Sequence, residues 1–80
     1  MKINRDELFV TTDLSLATAV SLQYPLWAID NTSSARSEFL FKRDEGLDQL
    51  VQAFWQNRLQ VSALAYFQQL KVIKSRLYEK

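Results

Sequence analysis

Two spacings of apolar residues alternate along the chain. Leu8-Phe9-Val10-Thr11-Thr12 is rich in residues that suit a pleated surface and predicts a short strand. Thr12 and Asp13 then offer an N-cap, and a helical pattern begins at Leu14, with Leu16 and Val20 four apart and Ala17 and Ala19 packing between them. That helix must end by Gln23, because Pro25 disfavours a helical Tyr24.

The next two runs return to a period of two. Trp27 and Ile29 alternate across residues 26–30, and Phe39 and Phe41 alternate across residues 37–42. The polar stretch Asn31-Thr32-Ser33-Ser34 separates them, so an antiparallel hairpin is expected. Trp27, Ile29, Phe39 and Phe41 are expected to share its buried face. Asp44 can cap a second helix, in which Leu47, Leu50, Val51, Phe54 and the flanking Trp55 follow a 3–4 spacing and Asp48, Gln49, Gln52 and Gln56 fill the other face. Residues 59–61 form an extended connection with the makings of a further short strand. Ser62 caps a third helix running towards Tyr78. At 100° per residue, Ala63, Tyr66, Phe67, Leu70, Ile73 and Leu77 fall within an arc of about 120°, the width of a core-facing stripe. Lys71, Lys74 and Tyr78 follow one edge of that arc, and Arg76 and Lys80 lie on the far side.

This pattern predicts an α+β fold, a small antiparallel sheet with three helices packed mainly on one face, in the order β-α-β-β-α-(β)-α. Residues 1–80 are read as a single domain, with residues 1–7 expected to be flexible. Eighty residues suit one domain, and a hydrophobic content of 48% with five Phe, three Tyr and two Trp supplies a core.

Charge changes the picture only when divided. Residues 1–56 carry five basic and eight acidic side chains, whereas Arg58, Lys71, Lys74, Arg76 and Lys80 face Glu79 alone in residues 57–80. A basic C-terminal third fits an anionic partner, and it equally fits a helix C-terminus whose dipole favours cations. The chain has no Cys, which excludes disulfides and thiolate metal sites and fits a reducing compartment. No apolar run approaches a membrane span, and Met1-Lys2-Ile3-Asn4-Arg5-Asp6-Glu7 has no secretory pattern. The expected location is cytoplasmic, with no membrane association.

Catalytic chemistry finds little support. Without His or Cys the commonest general bases and nucleophilic dyads are missing, and the single Gly46 excludes a Gly-rich phosphate loop. Asp44, Glu45 and Asp48 lie close together, but acids at a helix start ordinarily serve capping and the dipole. No enzyme activity, metal or cofactor is expected.

Two binding surfaces remain. Lys71, Lys74 and Tyr78, with Arg58 and Arg76 adding charge nearby, could hold phosphates and stack a base. Alternatively Lys74 lays its stem over the core and Tyr78 buries its ring. The other surface is aromatic: Trp55, beside the main stripe of its helix, with Tyr24 and Tyr66 as further candidates for a protein interface. Packing of Trp55 under the third helix fits the spacing equally well.

Three segments carry a resemblance. Phe9-Val10-Thr11-Thr12-Asp13-Leu14 is one. Leu47-x-x-Leu50-Val51-x-Ala53-Phe54-Trp55-x-Asn57 followed by Leu59-x-Val61 is the second, and Tyr66-Phe67-x-x-Leu70-Lys71-x-x-Lys74-Ser75-Arg76-Leu77-Tyr78 is the third. Together they resemble a family of small proteins scattered through bacteria, archaea and phages and described only as a domain of unknown function. Arg58, where the family tends to have Gly, and Tyr24-Pro25-Leu26 depart from its pattern. The resemblance implies no activity; the family's distribution points to mobile elements or phage–host conflict.

The function expected from the sequence is therefore a small non-catalytic interaction or adaptor module that self-associates or binds a protein partner. The alternative is a nucleic-acid-binding accessory protein of a mobile element or phage-defence system that uses the basic C-terminal helix.

Overall fold

The computed structural model describes residues 5–31 and 36–78. Within them the order is β1 (Leu8–Thr11), α1 (Leu14–Ser21), β2 (Ala28–Asp30), β3 (Glu38–Lys42), α2 (Glu45–Trp55) and α3 (Ala63–Tyr78), with a 3-10 turn at Arg5–Glu7 leading into β1. The expected α+β order is the observed one. Residues 59–61 are an extended connection rather than a strand. Residues 1–4, part of the lead-in expected to be flexible, lie outside the described residues, as does most of the polar loop after β2.

The three strands run in the order β1-β3-β2, and both pairings are antiparallel. The first strand therefore joins the hairpin on its far side, and β3 becomes the centre. Phe9 sits opposite Phe41, Thr11 opposite Phe39, and Ile29 opposite Phe39 from the other edge. Alternation puts these side chains on one face of the sheet. That face meets the helices: Phe39 and Phe41 form the core with Leu16, Ala17 and Val20 of α1, Leu47 and Leu50 of α2, and Ile73 of α3. Burying a Phe or Leu side chain contributes about 1.5–3 kcal/mol, so this one cluster dominates stability.

Trp27 departs from expectation. It is half exposed rather than part of the buried face. The ladder explains why. Ala28 already pairs with Leu40, yet the Trp27 N–H donates to the same Leu40 carbonyl at 2.8 Å. Two residues thus address one, a bulge-like slip that breaks alternation just before β2 begins.

The helix starts follow the sequence closely. The Asp13 carboxylate accepts from the Ser15 and Leu16 N–H groups, Asp44 accepts from the Leu47 N–H at 2.7 Å, and the Ser62 hydroxyl accepts from the Ala65 N–H at 3.3 Å. Each satisfies donors that a helix start leaves open. The end of α2 is closed by Asn57, which adopts φ 57°. The Asn57 N–H then donates to the Phe54 carbonyl and the Arg58 N–H to the Ala53 carbonyl, the paired bonds of a Schellman turn. Because Asn57 takes the left-handed conformation, Arg58 has no need of glycine's freedom, and a bulky residue is tolerated there.

Candidate functional site

Both α2 and α3 pack on α1, and they leave a cleft between them. Ala19 of α1 floors it, Phe54 of α2 forms one wall, and Tyr66 and Phe67 of α3 form the other. Leu59 and Val61 close its end, and its volume is about 400 Å³.

The buried side of α3 is set by Ile73, with Tyr66, Leu70 and Leu77 half buried around it. This is a rotated version of the expected stripe. Phe67 and Ala63, expected within it, are exposed instead. The rotation follows from the seat on α1, where the Tyr66 hydroxyl donates to the Ser15 carbonyl at 3.1 Å. That bond and the burial of Ile73 fix which side faces in.

The outer side of α3 is consequently apolar at one end and basic in the middle. Leu64 is 69% exposed, Phe67 61% and Tyr78 75%. Lys71 and Lys74 are exposed as well. These five residues follow a 3-4-3-4 spacing and occupy an arc of about 80°. Phe67 belongs both to this stripe and to the cleft, so the two form one continuous surface.

The other candidates separate. Trp55, the last residue of α2, is 63% exposed, its ring edge-on to Phe54 with centroids 5.1 Å apart. It does not pack under α3. Tyr66 is half buried and engaged with α1. Tyr24 packs its ring against the core, and its hydroxyl donates to Asp44 at the start of α2. Burial, the Asp44 charge and that hydrogen bond push the Tyr24 hydroxyl above its ordinary pKa. Tyr24 thus serves the fold, while Tyr66 both seats α3 on α1 and lines the cleft. Arg58 is exposed, and its guanidinium donates to the Gln56 side chain at 2.7 Å. Arg76 is also exposed, but on α3 it lies well over 90° from Lys71 and Tyr78, so it does not join their stripe.

Two of the three clustered acids are engaged locally. Asp44 caps α2 and receives Tyr24, while Asp48 pairs with Arg43 at 3.1 Å on the surface. A second hollow of about 320 Å³ lies between Tyr24, Leu26, Trp27 and Lys42. Its polar rim sets Lys42 against Asp44, so it presents no single charge to a ligand.

The site is an open apolar cleft continued by a basic, aromatic helix face on a small α+β domain. The chain belongs to the family described as Domain of unknown function (DUF5659), which it matches over residues 6–79. No curated protein and no solved structure matches it. Among the described residues no helix is long and apolar enough to cross a membrane.

Proposed function

We propose that this protein is a non-catalytic interaction module that docks a protein partner on the α2–α3 cleft and the outer stripe of α3. The observation that carries this reading is the exposure of Leu64, Phe67 and Tyr78 along one stripe beside an apolar cleft. Apolar side chains scattered singly need no explanation, but Leu64 and Phe67, one turn apart at the rim of an apolar hollow, form the kind of patch that marks an interface. A helix laid in a groove is the recognition mode this shape fits. The absence of His and Cys from the chain agrees with binding rather than turnover, and the absence of Cys suits a reducing, cytoplasmic setting.

Capture from native extract with wild-type and Leu64→Gln/Phe67→Gln protein as paired baits tests the reading. A protein retained by the wild type, lost from the variant and unaffected by nuclease is the expected result. Identical retention on both baits would remove this face from the interaction.

A second reading rests on a different observation: Lys71, Lys74 and Tyr78 stand exposed on the same stripe, a spacing suited to phosphates and a stacked base. It expects retention of mixed-sequence single-stranded DNA or RNA at low salt, falling steeply as salt rises and lost in Lys71→Glu/Lys74→Glu. No retention at low salt would end it.

A further inference from the structure

From the charges of the α3 stripe we infer that its partner is a different protein presenting an acidic amphipathic helix, rather than a second copy of this chain; the inference rests on the protein-docking reading above. The stripe reads Leu64, Phe67, Lys71, Lys74, Tyr78. Its midpoint is Lys71. Two copies meeting antiparallel on a two-fold axis with full overlap would pair Lys71 with Lys71, Phe67 with Lys74 and Leu64 with Tyr78, because an isologous contact matches residues symmetrically about the axis; a parallel pair, with the axis along the helix, would stack Lys71 on Lys71 and Lys74 on Lys74. The centre of such an interface would bring two like charges together and set the best apolar anchor against a lysine. Sliding the register to avoid this gives up contact at both ends. Residues 56–78 contain no Asp or Glu, so no acid within this segment of the chain relieves the repulsion.

A helix of opposite sign removes the conflict. Phe67 lines the cleft, where a partner's apolar anchor would seat. Lys71 and Lys74 follow it by four and seven residues, about 6 and 10 Å along the helix axis. A partner helix lying along α3 therefore needs one large apolar residue for the cleft and carboxylates about one and two turns away. Tyr78 offers a second aromatic contact beyond them. Complementary charges at the rim set specificity and register, while the apolar anchor supplies most of the affinity.

The test is a display selection with a library of single amphipathic helices, using wild-type, Phe67→Ala and Lys71→Glu/Lys74→Glu proteins as targets. Enriched sequences are expected to place Asp or Glu four and seven positions from a Leu, Phe or Trp. Their affinity should drop about tenfold on Lys71→Glu/Lys74→Glu and be lost on Phe67→Ala. Anchored sequences that need Phe67 but show no acidic preference would overturn the charge match and leave the docking face standing. Enrichment no greater on wild type than on Phe67→Ala would overturn both. A dimer by light scattering that dissociates on Phe67→Ala would also overturn the inference, as would tighter binding of a mixed-sequence single-stranded oligonucleotide than of any selected helix.

Discussion

Phe41 and Phe67 are the same side chain in opposite settings. Phe41 lies at the centre of β3, opposite Phe9, with no exposed surface, and touches the cluster built by α1 and α2. Phe67 lies on α3 with most of its ring in solvent. The sheet side of the molecule has turned its aromatic surface inward and closed it. The outer side of α3 has left comparable surface open beside a cleft. A chain of this length gains little from folding beyond its one core, so an aromatic residue left outside that core is kept at the cost of apolar exposure. The contrast separates side chains that hold the fold from side chains the fold presents.

The largest effect follows from the closed side. Phe41→Ala should cost about 3–5 kcal/mol in urea unfolding, the usual toll of emptying a packed aromatic site. A domain of this size has only about 4–12 kcal/mol in total, so the variant should be marginally folded. A loss below about 1 kcal/mol would mean that the sheet face is not the centre of the core.

The junction between sheet and helices gives a sharper test. Gly46 lies in the first turn of α2, directly under the Tyr24 hydroxyl, and a Cβ there would clash with that oxygen. Gly46→Ala should therefore destabilise by about 1–2 kcal/mol, as overpacking does, despite alanine's better helix propensity. In a Tyr24→Phe background the clash disappears and the same substitution should stabilise by about 0.5–1 kcal/mol. Additive effects in the double-mutant cycle would show that the two residues are not coupled. The same hydroxyl predicts a pH dependence. Its proton is held more tightly in the folded state than in the unfolded one, so its contribution is intact below pH about 10 and falls away as pH rises through the higher folded value. Chemical denaturation of wild type and Tyr24→Phe across pH 9–12 should show a constant difference below that point and a shrinking one above it. Parallel curves throughout would refute the raised value.

A smaller effect belongs to the seat of α3. Tyr66→Phe removes the bond to the Ser15 carbonyl, a partly solvated contact, and should cost about 0.5–1 kcal/mol. Faster amide exchange along α3, with α2 unchanged, is the accompanying sign. Equal protection in both proteins would show that α3 is held by apolar contact alone.

The order of elements and all three helix starts could be read in the sequence because they depend on local signals: alternation in residues 38–42, Asp13, Asp44 and Ser62 as caps, and Pro25 as a stop. The position of β1 could not, since either edge of the hairpin satisfies its pattern. Spacing misplaces Trp27 because a slip in the ladder, made at Leu40, leaves no trace in it. Spacing misplaces Phe67 for another reason. Leu64, Phe67, Val72 and Ile73 surround α3 with apolar residues, and periodicity alone cannot choose among faces. A usable signal was present, though. On the helical wheel Phe67 falls between Lys71 and Lys74, and a face bounded by two lysines is a poor candidate for a core. Of the two candidate surfaces, the basic stripe was legible from spacing; the cleft was not, because it exists only where α2 and α3 diverge over Ala19.

The smallest expected effect is the most telling for the open side. Leu64→Gln and Phe67→Gln replace exposed apolar side chains with a good helix former, so together they should change stability by no more than about 0.5 kcal/mol. Phe67 does meet the Tyr66 ring edge-on, with centroids 6.2 Å apart, but Tyr66 is independently held by its bond to the Ser15 carbonyl. Removing one exposed neighbour should leave it in place. Unchanged unfolding together with lost partner retention would separate presentation from folding at these two positions. A loss of 2 kcal/mol or more would instead place Phe67 among the residues that hold the fold, and the contrast with Phe41 would collapse.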